Sequence, residues 1–243
     1  MRNDVNSAVD YDLKDGICLV DRLKHGKGGK AHIHDLKNVM HSVKVLPKGI
    51  YGITSSDFGL THAESAKVFL DAGVKILQYR EKKNPSLDEA KEVKKLCHAH
   101  GAIFIVNDWL DIAIASNADG VHLGQEDTSI EVAKKQFRGM IGISTTNLAE
   151  SLEAQEKGAD YLGVGSMFAT DTKSDAKIVS FEEFRRIRER VTLPLYAIGG
   201  IKQENVRMIK RLGAEGAAVI SGVLAAKEPR RAVTALMEKW NES

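Results

Sequence analysis

The sequence has only two cysteines, Cys18 and Cys97, which form neither a CxxC pair nor a disulfide framework. A disulfide-stapled fold is excluded, a reducing compartment is the expectation, and neither thiol is assigned catalytic work. No apolar run approaches the ~20 residues that a spanning helix needs, and the opening MRNDVNSAVDYDLKDG lacks the apolar centre of a signal peptide. The expectation is a cytoplasmic protein with no membrane partner. Neither sign of charge dominates: 35 Lys plus Arg face 33 Asp plus Glu, for a formal net charge of +2. That gives no basis for a nucleic-acid partner, and any phosphate must be held by local groups. Nucleotide-binding fingerprints are missing too. No GxGxxG follows a first strand, and GKGGK at 26–30 departs from the P-loop, whose second glycine directly precedes Lys and Ser or Thr. His25, His32, His34 and His41 have no cysteine or carboxylate partners at ligand spacing and read as surface residues.

What the sequence does have is alternation. Residues 102–127, AIFIVNDWLDIAIASNADGVHLGQED, read as strand, helix, strand, with an apolar β-branched run at 103–106 and a second run at 120–123 around an amphipathic segment at 109–116. Asn107 and Asp108 close the first run; Gln125, Glu126 and Asp127 follow the second. In a parallel sheet both sets reach the same rim. From residue 48 on, further strands are expected at 50–54, 74–79, 140–143, 161–164, 195–198 and 217–220. Helices are expected at 61–71, 85–100, after Thr128 with Ser129 as cap, at 147–156, 181–190, 203–212, and after Pro229. Helix-to-strand joints recur as Ala72-Gly73-Val74, Asn117-Ala118-Asp119-Gly120, Gly158-Ala159-Asp160-Tyr161 and Gly213-Ala214-Glu215-Gly216, each with a residue that tolerates the left-handed conformation. Eight β/α units and 43% apolar residues predict an α/β fold, a (β/α)8 TIM barrel forming a catalytic domain over 48–243. Residues 1–47 read as an appended N-terminal extension.

Barrels do chemistry at the carboxyl ends of their strands. Those ends offer Gln78, Arg80 and Lys82; Asn107 and Asp108; His122, Gln125 and Asp127; Ser144; Thr170, Thr172 and Lys173; Gly199-Gly200; and Ile220-Ser221-Gly222. Two carboxylates without cysteine suit a hard cation such as Mg²⁺. Arg80, Lys82 and Lys173 match a polyphosphate, so a diphosphate substrate with diphosphate as leaving group is implied. Plainer readings exist. Asp108 could cap the helix beginning at Trp109 and Asp127 the next one, Lys82 could belong to a solvated REKK loop, and the 165–179 loop could be merely polar. Gly199 and Gly200 could serve a turn alone. His122, inside a strand, reads as structural rather than catalytic.

At these residues the sequence resembles the thiamine-phosphate synthase family, over roughly four fifths of the chain from Gly49 on. The family's QxRxK run appears as Gln78, Arg80 and Lys82, its ND as Asn107-Asp108, and its HxGQxD as His122 to Asp127. Its GxS appears as Gly142-Ile143-Ser144, its GPxFxTxTK as the run from Gly165 to Lys173, and its late pairs as Gly199-Gly200 and Ile220-Ser221. Ser55 replaces the aspartate usual in the first strand, and Thr146 a frequent histidine. The resemblance implies transfer of a hydroxymethylpyrimidine unit from its diphosphate to the nitrogen of thiazole phosphate. It places Gln78, Arg80, Lys82, Asn107 and Lys173 on the pyrimidine diphosphate, Ser144 on the diphosphate, and Asp108 and Asp127 on Mg²⁺. Thr170, Thr172, Gly200, Ile220 and Ser221 take the thiazole phosphate. Lys173, Ser144 and Arg80 are then the catalytic groups of a dissociative displacement that needs no general base. The alternatives are a thiazole tautomerase on the same barrel and a non-catalytic phosphate-ligand sensor. A homodimer is the base-rate expectation.

Overall fold

A computed structural model describes residues 46–170 and 177–242. The expected extension therefore lies outside the described residues up to position 45, as do Thr172 and Lys173. Eight parallel strands close a barrel in chain order: β1 (Gly49–Ile53), β2 (Ile76–Tyr79), β3 (Ile103–Asn107), β4 (Gly120–Leu123), β5 (Met140–Thr145), β6 (Tyr161–Val164), β7 (Leu195–Ile198) and β8 (Gly216–Val219). Tyr51 pairs with Ala218 where β1 meets β8, which completes the closure. The helices are α1 (His62–Asp71), α2 (Leu87–Ala99), α3 (Leu110–Ala115), α4 (Ile130–Gln136), α5 (Leu148–Glu156), α6 (Phe181–Arg190), α7 (Val206–Arg211), α8 (Ser221–Leu224) and α9 (Pro229–Asn241).

Local chemistry sets these boundaries. Thr61 caps α1 in a reciprocal box with Glu64, and Ser129 caps α4 by accepting from the Val132 N–H. β2 begins at Ile76, later than the apolar run suggests, because Val74 is committed to the end of α1. Its N–H donates to the Phe69 carbonyl across Gly73, which sits at φ +94°. α7 starts at Val206 because the side chain of Asn205 accepts from the Lys202 N–H and holds a turn there. The short helix α8 stands where the sequence suggested only a turn.

Period-two alternation sorts the strand residues into two cores. Outward-facing Leu77, Phe104, Val106, Val121, Leu123, Leu162 and Val164 pack under the helices. Inward-facing Tyr51, Ile53, Ile76, Ile105, Met140, Tyr161, Tyr196 and Ala218 fill the barrel. Tyr196 meets Tyr51 and Tyr161 edge-on, at ring separations of 5.4 and 5.7 Å. One step nearer the carboxyl end the same inward face turns polar, with Gln78, Asn107, His122 and Ser144. The registers Ile53↔Gln78, Asn107↔His122 and His122↔Gly142 fix that layer. Among the described residues no helix is long and apolar enough to cross a membrane. Cys97 is buried and free, with burial and the nearby Asp119 pushing its thiol up to about 12, which fits a packing role.

Candidate active site

The polar layer opens into a cavity of about 640 Å³ at the carboxyl ends of the strands. Every described residue expected at the site lines it: Gln78, Arg80, Lys82, Asn107, Asp108, Asp127, Ser144, Thr170, Gly200, Ile220 and Ser221. Thr172 and Lys173 fall outside the described residues.

Asp108 follows β3 and continues its ladder by donating its N–H to the His122 carbonyl at 2.8 Å, then turns at φ +61°. A non-glycine residue pays about 1–2 kcal/mol to sit there, a strain typical of functional positions. The strain is not spent on capping. α3 has Trp109 at its N-cap and no side-chain cap bond, so the capping reading of Asp108 does not hold. Its carboxylate instead pairs with the Lys82 ammonium and lies beside Asp127. Burial raises the Asp108 pKa, Lys82 pulls it back down, and the neighbouring Asp127 carboxyl raises it again. Asp127 does not cap a helix either, since Ser129 caps α4; one of its oxygens accepts from the Gly124 N–H at 2.7 Å. Two carboxylates from neighbouring strands thus converge on one point.

Cations surround them. Lys82 is half-exposed and reaches across to Asp108. No hydrogen bond or ion pair ties the Arg80 guanidinium to any described residue, although it lines the cavity. Lys177, which the sequence reading missed, lines it too. Its backbone is seated by Ser166, whose N–H donates to the Lys177 carbonyl at 3.3 Å and whose carbonyl accepts from the Val179 N–H. A second lysine after Lys173, closing the loop after β6, was the available signal.

Beneath the mouth a buried hydrogen-bonded chain crosses the barrel. The Gln78 amide donates to the Tyr51 hydroxyl at 2.9 Å, Tyr51 meets the Tyr161 hydroxyl at 3.0 Å, Tyr161 meets His122 Nδ1 at 3.1 Å, and His122 Nε2 meets Ser144 Oγ at 2.9 Å. Because an amide N–H can only donate, the assignment that satisfies every member runs one way. Tyr51 donates to Tyr161, Tyr161 to Nδ1, and Nε2–H to Ser144, whose own hydroxyl proton is left for the cavity. Gly142 and Gly163 make room for this imidazole, since a Cβ on either would come within 2.5 and 2.9 Å of its atoms. Both ring nitrogens of His122 are thus engaged within the protein, by Tyr161 and by Ser144, and in this assignment the imidazole orients the Ser144 hydroxyl.

Burial depresses the His122 pKa to about 4, with Asp127 pulling the other way. The folded state holds this imidazole neutral down to about pH 4, whereas an unfolded chain protonates it near 6.5. As pH falls the unfolded state takes up the proton first. The stability contributed above pH 6.5 is therefore lost between 6.5 and 4, by about 3 kcal/mol. Thermal melts across that window should show the slope in the wild type and a flatter one in His122→Gln; equal slopes would refute the assignment.

Asn107 is buried, and its Nδ2 has no partner among the described residues. An unpaired buried amide costs about 1–3 kcal/mol, so its persistence at a cavity wall points to a ligand acceptor. Gly199 and Gly200 lie at φ +98° and +59°, and a Cβ on Gly200 would sit 2.4 Å from the Ala169 carbonyl oxygen. These glycines thus seat the 166–169 segment against the end of β7, which brings Thr170 and Gly200 to one wall. The two departures from the family pattern serve local turns. The Thr146 N–H donates to Glu150 at 2.6 Å and its hydroxyl does the same at 3.0 Å, while the Ser55 hydroxyl donates to Asp57 at 2.8 Å.

A closed parallel barrel whose mouth joins two acids, a guanidinium bonded to none of the described residues and a buried amide has the make-up of a (β/α)8-barrel enzyme acting on small molecules. Comparison with known proteins narrows this class. The chain belongs to the thiamine monophosphate synthase family, whose model matches residues 50–223. A thiamine-phosphate synthase from Caldivirga maquilingensis is 48% identical over 203 residues, spanning 82% of this chain and 99% of the relative. One from Archaeoglobus fulgidus is 44% identical over 193 residues, spanning 78% and 91%. The solved thiamine phosphate pyrophosphorylase from Pyrococcus furiosus superposes with a TM-score of 0.75 at 40% identity, covering 79% of this chain and 95% of that one.

Proposed function

We propose that this chain is a thiamine-phosphate synthase. It transfers the 4-amino-2-methyl-5-hydroxymethylpyrimidine unit from its diphosphate to 4-methyl-5-(2-phosphooxyethyl)thiazole, giving thiamine phosphate and diphosphate. The observation that carries this reading is the meeting of Lys82, Asp108 and Asp127 at the barrel mouth. Two hard carboxylates beside an open cavity fit Mg²⁺, which takes few protein ligands and keeps waters and substrate oxygens. The Lys82 ammonium on Asp108 indicates that the donor set accepts positive charge. Asp108 and Asp127 would hold the ion, which neutralises charge on diphosphate oxygens when bound.

The protein's own groups do the rest. Asn107 and Gln78 hold the pyrimidine. Arg80 and Lys82 grip the diphosphate, and Ser144 donates its free hydroxyl proton to it, so the scissile C–O bond breaks with its electrons already stabilised. The thiazole nitrogen attacks with its lone pair, and no base is needed. Thr170, Gly200, Ile220 and Ser221 receive the thiazole phosphate, with Lys177 beside them. Thr172 on that phosphate and Lys173 on the diphosphate are assigned by family resemblance. A cytoplasmic setting fits the free, buried Cys97, and a homodimer follows the base rate for such enzymes.

The test is to supply the pyrimidine diphosphate, the thiazole phosphate and Mg²⁺ and to follow diphosphate and thiamine phosphate together. Equal, Mg²⁺-dependent formation of both is expected, with a loss of about 10²-fold or more in Lys173→Ala. Binding without turnover by folded protein would instead favour a sensor, and turnover of thiazole phosphate alone an isomerase.

A further inference from the structure

Arg80 and Lys82 line the mouth, but the residue between them does not. The Glu81 side chain turns away, into a bonded cluster under the β1–α1 loop. One of its oxygens accepts from the N–H groups of Lys83 at 2.8 Å and Asn84 at 3.4 Å. The other meets the Ser56 hydroxyl at 3.2 Å and His62 Nε2 at 3.3 Å. His62 opens α1, is almost fully buried, and packs edge-on against Tyr79 at 4.6 Å. Its Nδ1 lies 2.8 Å from Thr54 Oγ1, an oxygen that accepts from the Arg80 N–H at 3.3 Å. The roles close consistently: Thr54 donates its hydroxyl proton to Nδ1 and Nε2–H donates to Glu81. The Glu81 carbonyl in turn accepts from the Trp109 indole N–H at 2.8 Å, next to Asp108.

We infer that His62 and Glu81 are positioning residues, a buried brace that sets the reach of Arg80 and Lys82 toward a diphosphate. The inference rests on the proposed reading of those two cations. The brace touches each side of the β2–α2 loop: Thr54 holds the backbone of Arg80, Glu81 folds the turn after Lys82, and Trp109 ties the loop to the strand end that presents Asp108. None of these bonds belongs to the QxRxK pattern. Glu81 is suited to the task, because the Lys83 N–H above all, then His62, Asn84 and Ser56, outweigh burial and hold its carboxyl down to about 2. It stays an acceptor at any working pH. A brace of this kind matters because a phosphate-gripping cation displaced by about an ångström loses much of its effect.

Three variants test it. His62→Phe keeps the ring packing on Tyr79 and removes both polar bonds. His62→Gln restores a donor to Glu81, and Glu81→Gln weakens the other end. The readouts are KM and kcat for each substrate, and the affinity of inorganic diphosphate by calorimetry. For His62→Phe we expect KM for the pyrimidine diphosphate to rise about 10- to 50-fold and diphosphate affinity to fall in parallel. The KM for thiazole phosphate should be unchanged, kcat should stay within about 3-fold, and His62→Gln should recover most of the loss. Glu81→Gln should show the same selectivity, which keeps the test decisive if His62→Phe does not fold. Wild-type diphosphate affinity in folded His62→Phe or in folded Glu81→Gln overturns the brace, as does an equal rise in both KM values. If the wild type binds diphosphate but makes no thiamine phosphate, the functional reading fails. The affinity comparison then still decides the brace.

Discussion

Replacing Asp108 by Asn is expected to lower kcat/KM for the pyrimidine diphosphate by about 10²- to 10³-fold while leaving the melting temperature unchanged or raised. The two halves come from the same geometry. Asn is at least as tolerant of φ +61° as Asp, so the backbone strain does not grow. The substitution removes a carboxylate that burial and Asp127 both disfavour. It also removes the ion pair with Lys82, but that ammonium is half-exposed, and such pairs are worth at most about 1 kcal/mol. Activity has no such compensation. A neutral amide is a poor ligand for a hard cation, and the diphosphate loses its clamp as charge develops on it. Steady-state rates across a Mg²⁺ titration and calorimetric melts without the ion check both halves. Retention of activity within about 5-fold would remove Asp108 from the clamp, and a fall in melting temperature of more than a few degrees would show that its role is structural.

The site was more legible than its supports. Strand ends could be read because apolar runs stop at polar residues, so Gln78, Asn107 and Ser144 could be placed at the mouth, whereas the facing of His122 depends on a register that one residue would reverse. What periodicity cannot show is which polar residue spends its side chain on a neighbour. Asp108, read as a ligand, could equally have been a helix cap because it precedes Trp109, and its turn at positive φ is what sends the carboxylate to Asp127. Gly142 looked like half of a GxS motif, yet its missing Cβ is space for His122. Lys177 hid in a polar loop, and the pairing of His62 with Glu81 spans 19 positions of sequence, beyond any local pattern.

The second large effect concerns Ser144. Ser144→Ala is expected to lower kcat by about 10²-fold or more with little change in KM, since its hydroxyl acts where charge appears on the leaving group. His122→Ala should cost about 10-fold through the same hydroxyl, because without Nε2–H the serine proton has no reason to point into the cavity. It should also destabilise the fold by about 2–3 kcal/mol, leaving Tyr161 without its acceptor and a hole between Gly142 and Gly163. The double variant separates orientation from damage. If His122 acts only by aiming Ser144, then once the serine is gone its removal costs nothing further in kcat, and the double variant matches Ser144→Ala. If the losses multiply, His122 contributes to the reaction by another route. Stability behaves oppositely under this scheme. The penalty of His122→Ala persists in the Ser144→Ala background, because it arises from the barrel interior at Tyr161 rather than from the mouth. Activity effects that merge while stability effects add would distinguish a positioning chain from a packing defect that happens to lie near the site.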